Sequence, residues 1–130
     1  MIYAIDPCPA PRMTRSDRWK KRPCVLKYLE FKDECRRLNI KVDNYDHITF
    51  GIQIPSSFSK KKQKEMVGKP HQKRPDCDNL LKALLDSVYK EDSHIHALTV
   101  NKVWSENGYI EIREKGKKNY ANYHYMGELL

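Results

Sequence analysis

Apolar positions along the chain change period several times, and each change marks an element. Cys24, Tyr28, Phe31, Cys35 and Leu38 recur at alternating spacings of four and three. That is one face of an amphipathic helix. Pro23 suits the first helical position, where a missing N–H costs nothing. Lys27, Glu30, Lys32, Asp33, Arg36 and Arg37 fill the other face. The spacing therefore predicts a helix from Pro23 to about Leu38, with Cys24 and Cys35 in the core. From His47 the period becomes two. Ile48, Phe50, Ile52 and Ile54 alternate with Thr49, Gly51 and Gln53, a strand that Pro55 ends. Ser56 or Ser57 is expected to cap a short helix reaching about Met66, before Gly68 and Pro70 break it. Leu80, Leu81, Leu84, Leu85 and Val88 restore the helical stripe, opened by Pro75 and by Asp76 as its cap.

The flanks are extended. Ile2–Ile5 reads as a short strand, followed by Pro7, Pro9 and Pro11, which hold the chain out of regular structure. Ala97–Trp104 reads as a strand with Leu98, Val100 and Trp104 on one side. Asn107-Gly108 is a hairpin turn signal, and Tyr109–Arg113 returns with Ile110 and Ile112 inward. From Lys115 the sequence is polar and tyrosine-rich, a tail over about residues 115–130. The order is strand, helix, strand, helix, helix, strand, strand. It predicts an α/β or α+β domain over residues 1–130, with a mixed sheet of about four strands and two to three helices.

Composition narrows the function. The 130 residues fit one compact domain. Cys8, Cys24, Cys35 and Cys77 are widely spaced with no Cys-x-x-Cys pair, which argues against a structural zinc site and a disulfide framework. Apolar runs are too short to span a membrane, and no secretory leader opens the chain, so a cytoplasmic protein is expected. Neither a Ser/His/Asp ordering nor a glycine-rich phosphate loop is present. The net charge of +8 points to an anionic partner, most often nucleic acid. The cations are clustered. Arg12, Arg15, Arg18, Lys20, Lys21 and Arg22 surround Trp19 with Asp17 as the one acid. Lys60, Lys61, Lys62 and Lys64 crowd the short helix, and Lys69, Lys73 and Arg74 follow. The Arg12–Arg22 segment reads equally as a solvated loop or as a phosphate-gripping arm with an aromatic for packing or stacking.

Against this positive background, acids gather at one stretch. Asp76 and Asp78 stand at a helix start, Lys82 and Asp86 follow Asp78 at intervals of four, and Glu91-Asp92 comes after the helix. Acids in a first helical turn are ordinary, because they offset the positive helix end. Asp78, Lys82 and Asp86 also suit a plain surface ion-pair ladder. The functional alternative is a metal site. Magnesium takes hard oxygen ligands, keeps some waters and needs only a few carboxylates beside a substrate phosphate. If Asp92–His96 is extended, Asp92, His94 and His96 point the same way, and a zinc or manganese site is a further option.

Lys73-Arg74-Pro75-Asp76-Cys77-Asp78-Asn79-Leu80-Leu81-Lys82, then Asp86, then Glu91-Asp92-Ser93-His94-Ile95, resembles the RusA family of Holliday-junction resolvases of bacteria and their phages. Ser59–Lys62 and Met66–His71 resemble its phage-type members. The resemblance implies a magnesium-dependent crossover junction endodeoxyribonuclease, with manganese as a substitute metal, acting as a homodimer in a bacterial host cell. Such an enzyme cuts opposed strands of a four-way junction. The resemblance places the catalytic and metal-binding aspartates at Asp76, Asp78 and Asp92 and the essential lysine at Lys82. Asn79, Asp86 and Glu91 fall to supporting positions. Glu91 is a departure, since the family has a paired Asp-Asp there. Lys60, Lys61, Lys62, Lys64, Lys69, Lys73, Arg74, Arg12 and Arg15 are the expected DNA contacts. The rival reading is a basic DNA-binding protein without catalysis; a third is a related enzyme that prefers flaps or forks.

Overall fold

A computed structural model describes residues 1–114, without the side chain of Arg18; the tail expected over 115–130 lies outside the described residues. The strands are β1 (Ile2–Tyr3), β2 (His47–Gln53), β3 (Thr99–Ser105) and β4 (Tyr109–Arg113). They form one four-stranded sheet in the order β1-β4-β2-β3. The alternation read from His47 places Ile48 and Phe50 fully inside, and β2 is one of the two inner strands. It pairs parallel with β3 and antiparallel with β4, while β1 adds antiparallel to the outer side of β4.

This order corrects the expected hairpin. β3 and β4 follow one another in sequence but are not neighbours, because β2 lies between them. The link Glu106–Gly108 passes the end of β2, where the Ile54 amide donates to the Ser105 carbonyl at 2.9 Å. Two strand spacings are about 9.6 Å, a gap that three extended residues span. Gly108 sits so close to Asp6 that a Cβ there would meet Asp6 Oδ1 at 1.8 Å. The Asn-Gly pair is thus a tight crossing and not a two-strand turn.

Three helices complete the fold: α1 (Pro23–Arg37), α2 (Lys60–Met66) and α3 (Cys77–Val88). α1 and α3 pack against each other. Their apolar faces join β2 and β4 in one core built around Tyr28, Phe31, Leu80, Leu84, Phe50 and Ile110. The buried stripe of α1 is Val25, Tyr28, Phe31 and Cys35, and Cys24 is exposed. Cys24 was expected inside. The stripe starts one residue later because Val25 has more apolar surface to remove from water than a thiol. In α3 the buried positions are Leu80, Ala83, Leu84, Leu85 and Ser87. Ser87 is satisfied there by donating to the Ala83 carbonyl at 2.6 Å.

α2 buries none of its residues. Its cap is Ser59, whose hydroxyl accepts the Lys62 amide at 3.2 Å, and neither Ser56 nor Ser57 takes that role. A turn closed by the Phe58 amide on the Pro55 carbonyl occupies those serines instead. No helix among the described residues is long and apolar enough to cross a membrane.

Candidate active site

The start of α3 is set by the free edge of β3. Trp104 exchanges backbone bonds with Gly68 and Lys69, and the His71 amide donates to the Lys102 carbonyl at 3.0 Å. Residues 68–71 therefore run along β3 and deliver the chain to α3. Lys102 completes the junction. Its Nζ donates to the carbonyls of Lys73 and Pro75, both at 2.6 Å. The Arg74–Pro75 peptide is cis. Beneath this turn, the His71 ring packs 4.3 Å from the Trp104 ring and is buried. Its Nδ1 is buried without a hydrogen-bond partner among the described residues. Burial, reinforced by the positive charge of Lys102, lowers the His71 pKa and favours the neutral ring.

Asp76 occupies the N-cap with extended backbone, as its place before the stripe predicts, but its carboxylate makes no capping bond. It is exposed, as are Asp78 in the first turn and Lys82 one turn later. Among the described residues no ion pair engages any of the three, so the alternative of a plain surface ladder is not formed. A groove of about 500 Å³ runs past this end, lined by Pro9, Arg74, Pro75, Asp76 and Asn79.

The other end of α3 is tied into the body of the protein. Asp86 Oδ2 accepts the Tyr28 hydroxyl at 3.4 Å, which joins α3 to α1. The Tyr89 hydroxyl donates to the Val42 carbonyl. Glu91 Oε1 accepts the Ser93 amide at 3.0 Å, and the Ile95 amide donates to the Asp92 carbonyl at 2.9 Å. Asp92 thus stands in a braced turn. Asn44 holds the next stretch, donating to the His94 carbonyl at 3.1 Å and accepting the His96 amide at 2.7 Å.

The turn also revises the histidine option. Asp92–His96 is not extended, and His94 and His96 stand edge-on to different rings, Tyr89 and Tyr45. All twelve residues of α3 separate Asp92 from Asp76. At the helical rise this is about 18 Å of axis. No group of three His, Cys, Asp or Glu side chains stands together as a metal site among the described residues.

The expected DNA contacts fall in three places. Lys60, Lys61, Lys62 and Lys64 are exposed on α2, with Lys62 Nζ 4.2 Å from the Phe58 ring centre. Lys69, Lys73 and Arg74 are exposed along the approach to α3, and Arg12 and Arg15 on the N-terminal loop. Lys102 and His71 were not singled out from sequence. A signal for Lys102 existed: it interrupts the row Val100, Lys102, Trp104, which otherwise faces one side of β3.

The donor chemistry fits a hard divalent ion in part. Two carboxylates with no competing partner among the described residues, two residues apart at a helix start, match what magnesium takes from protein when phosphate and water supply the rest. Comparison with curated proteins and with solved structures finds no match. Residues 25–114, most of the chain, match the family model described as endodeoxyribonuclease RusA. They take in all but the first two residues of α1, all of β2 to β4 and both groups of acids, so the chain belongs to the RusA family of endodeoxyribonucleases.

Proposed function

We propose that this endonuclease resolves branched DNA, with four-way junctions as its principal substrate, in a reaction that depends on a divalent metal. The observation that carries the reading is the state of the α3 start: Asp76 and Asp78 are exposed and, among the described residues, uncommitted, on a helix whose approach is lined with Lys69, Lys73 and Arg74. In a protein of net charge +8, carboxylates left without a partner are placed for a cation and not for DNA. Asp76 and Asp78 would hold magnesium or manganese, which when bound supplies Lewis acidity toward the scissile phosphate. Lys82, one turn along, holds a positive charge where negative charge builds on that phosphate. Lys60, Lys61, Lys62, Lys64, Lys69, Lys73, Arg74, Arg12 and Arg15 bind the DNA backbone and set its position.

The separation of Asp92 argues for a homodimer. One chain keeps Asp92 at the far end of α3, about 18 Å from Asp76 along the axis. A twofold pair with antiparallel α3 helices would set the Asp92 of each chain beside the Asp76 and Asp78 of the other. Two sites related by that twofold then suit paired cuts in a substrate that is itself nearly twofold. Glu91 braces the turn that presents Asp92, a supporting task that a glutamate performs as well as an aspartate.

The test is cutting of a labelled four-way junction against a linear duplex of equal length, with and without magnesium. Junction cutting that appears with magnesium and stops on chelation is the expected result. Binding without cutting under any divalent metal would instead establish a non-catalytic DNA-binding protein. Equal cutting of flaps or forks would move the substrate away from four-way junctions.

A further inference from the structure

The loop from Arg12 to Arg22 is closed on itself. The Asp17 side chain is only 2% exposed although the residues around it are in solvent. It accepts the Thr14 amide at 2.7 Å, the Thr14 hydroxyl at 3.1 Å, and Arg22 through Nε at 3.1 Å and Nη2 at 3.0 Å. Arg22 Nη2 also donates to the Arg12 carbonyl at 2.6 Å, which ties one end of the loop to the other. A 3-10 turn, Arg15–Arg18, forms between these anchors. The Arg22 bond in particular holds the Asp17 carboxyl well below the usual carboxylate range, so the clamp stays charged at neutral pH.

The clamp consumes the only acid in the loop and one of its arginines. What remains outside is cationic and aromatic. Trp19, just past the 3-10 turn, is 77% exposed. Arg12, Arg15, Lys20 and Lys21 are exposed around it in sequence. A freely moving loop would lose entropy on gripping a ligand, whereas a clamped one has lost much of it on folding. An indole held in water beside several cations matches a nucleic acid in both of its parts, a flat base and the phosphates that flank it.

The kind of DNA follows from where a base has a face to offer. In duplex each base is covered by its neighbours above and below. At a branch point the stack is interrupted. We propose that Trp19 stacks on a base exposed at the branch, with Arg15, Lys20 and Lys21 on the flanking phosphates, so that this loop selects branched over linear DNA. The inference rests on the branched-DNA reading above, to which it adds the element that recognises the branch.

The experiment measures equilibrium binding of the full chain to a four-way junction and to linear duplex, without divalent metal so that nothing is cut. Trp19→Ala is expected to weaken junction binding by about tenfold, the scale of one lost base–aromatic stack, and to leave duplex binding unchanged. Trp19→Phe should recover part of the loss. The slope of log K against log salt should be unaltered in Trp19→Ala, which removes no charge, and shallower in Lys20→Ala/Lys21→Ala. An abasic site at the branch should weaken the wild type but not Trp19→Ala.

If the wild type prefers the junction and Trp19→Ala prefers it equally, the inference is overturned while the branched-DNA reading stands. A wild type with no junction preference overturns both. If Trp19→Ala changes the oligomeric state in sedimentation and not the junction preference, Trp19 packs against a second copy and the inference is again overturned.

Discussion

The two ends of α3 carry similar acids in opposite circumstances. At its start Asp76 and Asp78 are exposed and, among the described residues, make neither a capping bond nor an ion pair. In its last turn and just beyond, the acids and their neighbours are occupied: Asp86 with Tyr28, Glu91 with Ser93, and the Asp92–His96 stretch with Asn44. A carboxylate that could cap its own helix and does not forgoes a contribution of about 1 kcal/mol. The start of α3 thus gives up local stability that the far end collects. Substitutions at the two ends should therefore move different observables.

The largest effect is expected at the start. Asp76→Asn or Asp78→Asn should lower junction cutting by about two to three orders of magnitude, the scale of losing one stabiliser of transition-state charge. The melting temperature should change little, since among the described residues neither carboxylate has a capping bond or ion pair to lose and the charge at the helix end contributes less than about 1 kcal/mol. Asn44→Ala reverses the pattern. It removes the acceptor of the His96 amide and the donor to the His94 carbonyl. Stability should fall by about 1–3 kcal/mol, and cutting should recover on cooling. Thermal melts beside single-turnover cutting separate the two. A large melting shift in Asp78→Asn would break the comparison.

Mixing subunits sharpens it. Asp78→Asn and Asp92→Asn should each be inactive as homodimers. If each site takes Asp78 from one chain and Asp92 from the other, a mixed dimer keeps one intact site and loses both acids from the second. Random pairing makes roughly half of the dimers mixed, so co-refolded mixtures should nick one strand of the junction with about a quarter of all sites intact. If one chain supplied all three acids, every mixed dimer would be dead, and no nicking would appear.

Much of this contrast was legible beforehand, for particular reasons. The α3 stripe and the β2 alternation are strong local periods, and both elements appear where the spacing puts them. The acids at 76, 78 and 92 lie within a short motif, which carries their identity but not their distance. Their separation was hidden because a helix axis, and not a count of residues, fixes it. β3 and β4 were mispaired because Asn-Gly reports a turn and not which strand lies inside it. The Cys24 face was misplaced because two overlapping stripes share the same period. Lys102 was passed over because a lysine in a strand is usually solvated, and its two carbonyl partners lie 29 and 27 residues away.

Acid should act on the support of the near end before the far end. The His71 pKa is lowered in the folded protein, so the unfolded chain binds the proton more readily. The stability that the neutral ring contributes is complete above the unfolded value of about 6.5 and is lost as pH falls toward the folded value. Wild-type stability should decline as pH falls below about 6.5 more steeply than that of His71→Gln. Denaturant melts across that range check this. Parallel curves would remove His71 from the account of how α3 is held at its start.

The smallest effect belongs to Glu91. Its carboxylate braces the Asp92 turn through one bond, from the Ser93 amide to Oε1. Glu91→Gln keeps an oxygen of the same reach to accept that amide and removes only the charge. Cutting should stay within about twofold of wild type, because a neutral acceptor retains most of an exposed hydrogen bond. Glu91→Ala loses the acceptor, leaves the turn to water and should weaken metal-dependent cutting further, as a rise in the magnesium needed for half-maximal rate. If Glu91→Gln is as damaged as Asp92→Asn, Glu91 is a ligand in its own right. The far end of α3 would then be part of the reacting centre and not merely its bracing.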